Sequence, residues 1–120
     1  MVIGWKVDRA QRDALLTRFS PRYARAIADH VTLAANVAAS TPPPKPAACR
    51  IVGHADDGAG VEAVVVEIDG TTARPGGGTF HITWSLAEGR QAKESNDVIA
   101  ARGWQRFDEP VDVTVEPASF

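Results

Sequence analysis

Two short segments of the chain carry the same arrangement of reactive side chains. His30-Val31-Thr32-Leu33 and His81-Ile82-Thr83-Trp84 both read histidine, aliphatic, threonine, hydrophobic, and they hold two of the three histidines in the sequence. On a β-strand, residues i and i+2 share a face about 6.6 Å apart, so each segment presents an imidazole and a hydroxyl on one side. Val31, Leu33 and Ala35 in the first segment, and Ile82, Trp84 and Leu86 in the second, give each strand an apolar opposite face for a core. Such a pair suits phosphodiester hydrolysis without a metal. A neutral imidazole takes a proton from the attacking water, and a protonated one gives a proton to the departing ribose oxygen. The ordinary histidine pKa of about 6.5 permits both roles near neutral pH. Two hydroxyl donors would hold the non-bridging phosphate oxygens, where negative charge develops. The expected catalytic residues are therefore His30 and His81, and the expected phosphate-binding residues are Thr32 and Thr83.

At these residues the chain resembles the two-histidine phosphoesterase superfamily, which includes RNA 2′,3′-cyclic phosphodiesterases and the cyclic phosphodiesterase domains of tRNA ligases. The signature of that family is a pair of His-x-Thr/Ser-hydrophobic motifs on strands that face each other across a cleft between two pseudo-symmetric lobes. His30 with Thr32 and His81 with Thr83 stand at the matching positions. The stretch HITWSLAEGRQAKESNDVI, where the second motif leads into a helix, looks most like a compact branch associated with RNA-repair proteins. The resemblance covers most of the chain. It implies hydrolysis of a 2′,3′-cyclic phosphate or a related phosphodiester, RNA ends among them, with no cofactor and no metal. The rival reading is a non-catalytic module that binds a nucleotide or RNA terminus in the same cleft. A binder has no need of two proton-transfer groups, so the intact pair favours an enzyme.

The elements that must position these residues follow from local patterns. Asp8 is a candidate N-cap for a helix over RAQRDALLTRF, with Ala14, Leu15 and Phe19 on one face and Pro21 ending it. Residues 22–29 fit a helical turn or a lead-in loop. His30 to Val37 reads as a strand, and the proline-rich 38–47 as a stiff connector. Cys49–Ala55 and Val61–Ile68 read as an antiparallel hairpin around Asp56-Asp57-Gly58-Ala59-Gly60. Gly76-Gly77-Gly78 reads as a flexible turn without the lysine and helix of a nucleotide phosphate loop. Phe80–Leu86 is a strand, Ser95 a candidate cap for a helix ending at Gly103, and Val111–Val115 a last strand. The expected class is α+β, a single compact domain over residues 1–120 with mostly antiparallel strands. The resemblance arranges these as two pseudo-symmetric lobes lining a central cleft, with helices packed outside.

Composition narrows the alternatives. The 120 residues are 44% hydrophobic and 23% charged, which excludes wholesale disorder, and no apolar run approaches the roughly 20 residues of a membrane span. One cysteine excludes a disulfide framework and a multi-cysteine zinc site. A net charge of −2 argues against duplex nucleic acid as a partner. Residues 1–25, however, hold six basic side chains against Asp8 and Asp13, the pattern of a solvated helix face or of a segment near an anion. The N-terminal residues lack a signal-peptide pattern, so the expected location is cytoplasmic. Tyr23, Ser85 and Arg90 are further candidates for the cleft, with Lys93 as another anion-reaching cation. His54 and Cys49 read as structural. A third reading, an interaction domain that uses the proline-rich loop as its partner surface, requires no role for the histidines.

Overall fold

The computed structural model describes all 120 residues. In chain order the elements are β1 (Ile3–Val7), α1 (Arg9–Arg18), β2 (Arg25–Ala26), β3 (His30–Ala34), β4 (Cys49–Asp56), β5 (Val61–Ile68), β6 (His81–Leu86), α2 (Glu94–Arg102), β7 (Gln105–Val113) and β8 (Val115–Ser119). The strands make two antiparallel sheets of unequal size, ordered β3-β1-β8 and β2-β6-β5-β4-β7. The fold is α+β. No helix is long and apolar enough to cross a membrane.

The main core lies between the sheets. Trp5, Val7 and Val31 of the small sheet meet Ile51, Val64, Val66, Ile82 and Trp84 of the large one, with Leu15 of α1 closing one side. Full burial of such side chains contributes about 1.5–3 kcal/mol each. The opposite face of β4 and β5 packs Val52, Ala55, Ala63 and Val65 against Ile99 of α2. The near-continuous apolar run of β5 is thus explained by burial on both faces.

β1 was not expected as a strand, yet it is the central strand of the small sheet. Its Gly4 is required by a close approach: a Cβ there would lie 2.0 Å from the Val31 carbonyl oxygen, beside a bulge in the β1–β3 pairing. The last expected strand, Val111–Val115, is instead the crossing point between sheets. β7 ends at Val113, Thr114 donates its backbone N–H to Gln11 Oε1 at 2.7 Å, and β8 then pairs with β1. The ambiguous residues 22–29 include the two-residue β2, which pairs with Ser85 and Leu86 of β6. The proline-rich connector runs from the small sheet to the large one, and the Trp5 indole N–H donates to the Lys45 carbonyl at 2.9 Å. β3 and β6, which carry the two histidine motifs, belong to different sheets and lie against each other where those sheets meet.

Candidate active site

His30 is the first residue of β3, and the turn before it is held by the basic N-terminal residues. Arg12 donates to the carbonyls of Ala26, Ile27 and Ala28 at 2.8–3.3 Å, closing a corner in which Ala28 adopts a φ of 43°. Arg9 donates to the Asp29 carbonyl at 2.9 Å. Lys6 lies opposite His30 in the β1–β3 register and reaches Asp29 Oδ2 at 2.6 Å. These cations therefore fix the position of a catalytic candidate. On α1 itself Arg9 and Arg18 remain exposed, as a solvated helix face would have them, while Arg12 is partly buried. Partial burial would raise the Asp29 carboxyl, but the hydrogen bonds and charges of Lys6 and His30 hold it at about 2. An ionised carboxylate can only accept, so the contact of 2.9 Å between Asp29 Oδ2 and His30 Nδ1 puts a proton on Nδ1. The ring also packs edge-on against Phe120, with centroids 4.6 Å apart.

His81 begins β6 and is only 8% exposed. Its Nδ1 lies 2.8 Å from the Thr79 carbonyl oxygen, which can only accept, so here too the proton sits on Nδ1. Burial pushes its pKa below the ordinary histidine value. The positive charges of Arg74 and His30 push the same way, and the Thr79 carbonyl opposes them. Neither imidazole has a protein partner at Nε2. No buried side-chain nitrogen or oxygen in the molecule lacks a partner, so both Nε2 atoms open to solvent.

Both rings line one cavity. It has a volume of about 480 Å³, and its lining includes His30, Thr32, His81 and Thr83 together with Arg74, Lys93 and Asn96. The Thr32 hydroxyl has no protein partner. That of Thr83 lies 2.9 Å from Ser95 Oγ and 3.2 Å from the Ala92 carbonyl. Ser95 was expected to cap α2; it is instead the second residue of that helix and fully buried, and Lys93 occupies the cap position. With Ser95 donating to it, Thr83 keeps its own proton for Ala92 or for an anion that displaces that bond.

Arg74 was missed in the sequence because it stands on the glycine turn. Three successive residues, Gly76, Gly77 and Gly78, have φ of 86°, 115° and 88°, which curls the turn over the arginine. A Cβ on Gly78 would lie 2.8 Å from Arg74 Nη2. The guanidinium donates to the Gly77 carbonyl at 3.1 Å and to Asn96 Oδ1 at 2.9 Å, and no carboxylate pairs with it. Arg74 is thus a cation on the cavity wall with its charge uncompensated. Lys93, weighed in the sequence as able to reach an anion, stands on the same wall.

Three other cleft candidates lie elsewhere. Ser85 does follow the alternation, but β2 pairs with β6 at that point and the chain ahead of β2 covers the hydroxyl. Ser85 accepts the Tyr23 backbone N–H at 3.2 Å and donates to Glu62 Oε1 at 2.6 Å. Tyr23 donates its hydroxyl to Asp56 Oδ1 at 2.6 Å. Arg90 pairs with Asp57 at 2.9 Å and Glu94 at 3.1 Å, tying the β4–β5 turn to α2. His54 belongs to the same polar network as Ser85, with Nε2 at 2.8 Å from Glu62 Oε2. Cys49 is a core residue whose thiol burial pushes up to about 12, so it is no nucleophile at neutral pH. No three His, Cys, Asp or Glu side chains converge as a metal site.

The cavity thus joins two imidazoles, each donating from Nδ1 and without a protein partner at Nε2, to the Thr32 hydroxyl and a guanidinium that no carboxylate pairs. Those are the parts needed to bind an oxyanion and to move protons on either side of it. No family model matches the chain, and no curated protein or solved structure matches it.

Proposed function

We propose that the protein is a phosphoesterase of the two-histidine kind, hydrolysing a 2′,3′-cyclic phosphate or a related phosphodiester by acid–base catalysis between His30 and His81, independently of a metal. The observation that supports this reading is that both imidazoles, neither with a protein partner at Nε2, line one cavity together with Thr32, Thr83 and Arg74. The environments of the two rings divide the roles. His81 is buried and faces positive charge, so it is the neutral partner and the base. His30 is the more exposed ring and its Nδ1 contacts the Asp29 carboxylate, so the acid's role falls to it. His81 Nε2 takes a proton from water as the water oxygen bonds to phosphorus. The bond from phosphorus to the ribose oxygen breaks, and that oxygen takes the proton from His30 Nε2. The product is a phosphomonoester, and solvent returns the two rings to their starting protonation. Thr32, Thr83 and Arg74 hold the non-bridging oxygens as charge builds on them.

The test is an assay of purified protein on nucleoside 2′,3′-cyclic phosphates with EDTA present. Turnover that EDTA leaves unchanged, and that is lost in the folded His30→Ala/His81→Ala double variant, supports the reading. Saturable binding without turnover would favour the non-catalytic module, and undiminished hydrolysis by the double variant would overturn the mechanism.

A further inference from the structure

The proline-rich connector between β3 and β4 has no part in the histidine cavity. Every residue from Thr41 to Pro46 is either a proline or directly precedes one, which confines the backbone to the extended polyproline II region. That helix has three residues per turn and rises about 9 Å per turn. Burial along the segment follows the same period. Thr41, Pro44 and Ala47 are half-buried and form the edge that rests on the protein, whereas Pro42, Pro43, Lys45 and Pro46 are exposed. The segment is pinned along its length. The Thr41 backbone N–H donates to the Ala38 carbonyl, the Trp5 indole N–H to the Lys45 carbonyl, and the Ala48 N–H to Asp69 Oδ1, each at 2.9 Å. The carbonyls of Pro42, Pro43, Pro44 and Pro46 accept nothing from the protein, and no carboxylate pairs with the Lys45 ammonium.

With three residues per turn, a groove that takes x-Pro pairs at i, i+1 and at i+3, i+4 leaves position i+2 facing away. Pro42-Pro43 and Lys45-Pro46 are the two exposed pairs, and Pro44 between them is the residue set against the protein. The fold has therefore covered the one edge that such a groove does not use. We propose that residues 42–46 are a docking strap for a separate protein domain with an aromatic-walled proline groove of the SH3 type, carrying a carboxylate beside the slot that takes Lys45-Pro46. No aromatic ring of this chain is exposed, so a different protein supplies the groove. The strap is already ordered, and the entropy that a loose peptide loses on binding is lost here at folding instead. This role is independent of what the histidine cavity does.

The test is a calorimetric titration of the whole protein with purified SH3 domains that carry an acidic specificity pocket. Saturable one-to-one binding is expected. Pro43→Ala/Pro46→Ala should weaken it roughly 10-fold or more, the size expected for loss of two slot-filling rings. Lys45→Glu should weaken it as well and remove its dependence on salt, while Pro44→Ala, on the edge facing away, should bind close to the wild type. Circular dichroism checks that each variant keeps the fold. No binding to the wild type, full binding by the double variant, or a loss in Pro44→Ala as large as in the double variant overturns the strap. A concentration-dependent dimer in sedimentation that the double variant abolishes would assign the strap to a second copy of this chain and overturn the separate partner.

Discussion

His30 and His54 each stand on a strand beside a carboxylate, and the two sites differ in what is left over once the pair is made. At His54 the Nε2 contacts Glu62, whose other oxygen takes the Ser85 hydroxyl and the Arg22 backbone N–H at 2.6 and 3.0 Å. The hollow beside it, lined by Arg22, Asp56 and Arg102 among others, brings no second imidazole and no hydroxyl. At His30 the carboxylate takes Nδ1 and leaves Nε2 without a protein partner, on a ring that lines a cavity together with His81 and two threonines. A carboxylate–imidazole contact therefore does not by itself mark a reactive centre. What sets His30 apart is a ring nitrogen left without a protein partner, on a cavity that a second such imidazole also lines.

The largest effect should separate the three histidines. His30→Ala or His81→Ala should each lower turnover on a cyclic nucleotide about 10²–10⁴-fold, the usual share of a general acid or base, with the double variant far from the product of the two. His54→Ala should retain turnover and lose stability in urea. Equal kinetic losses at all three positions would dissolve the contrast.

The carboxylates should divide in the opposite sense. Glu62 is 3% exposed, and Glu62→Ala leaves the buried Ser85 hydroxyl, the partly buried His54 imidazole and the Arg22 N–H without their acceptor. The expected cost is about 3 kcal/mol in chemical unfolding, near the lower end for breaking a buried pair. Asp29 is partly exposed, so Asp29→Asn should cost far less stability but slow turnover roughly 10–100-fold, the range for outer groups that orient a reactive imidazole. A stable, fully active Asp29→Asn variant would remove Asp29 from the site.

The smallest effect is the pH response of His81. Its folded pKa lies below the unfolded value of 6.5, so between those two values the unfolded chain binds a proton that the folded chain does not. Stability from this group is complete above about pH 6.5 and falls on acidification, by at most about 1.4 kcal/mol per pH unit. The urea midpoint of the wild type should drop from pH 7 to pH 5.5 by more than that of His81→Asn. Asp29, Asp56, Asp57 and Glu62 are also lowered, but their losses begin nearer their unfolded values of 3.8 and 4.5. Equal drops in the two proteins would mean that His81 titrates alike in both states.

What could be read in the sequence was whatever repeats within a few residues. The two-residue period of β3 and β6 assigned the inner and outer faces of both histidine motifs, and the β-branched run of β5 set its limits at Val61 and Ile68. What could not be read depends on partners far along the chain. Gly4 gives β1 a weak strand signal, and the strand is recovered only by pairing with β3 and β8. Arg74 looks like part of a flexible turn until Asn96, 22 residues on, holds its guanidinium at the cavity. Ser85 obeys the alternation and is still sealed, because the covering β2 is only two residues long and leaves almost no pattern.

The pairing of β1 with β8 bears on how the protein is made. Ile3 lies opposite Ser119, so one edge of the central strand of the small sheet stays open until residues 115–119, more than a hundred positions later, have been synthesised. Hairpins such as β4–β5 need only local contacts and can form while the chain is still emerging, whereas closure of β1 must wait for β8. During translation the apolar β1 is an unpaired edge, the kind of surface that recruits other strands. A chain that stalls before Val115 would carry both histidine motifs intact and still lack the strand that completes the sheet beneath His30.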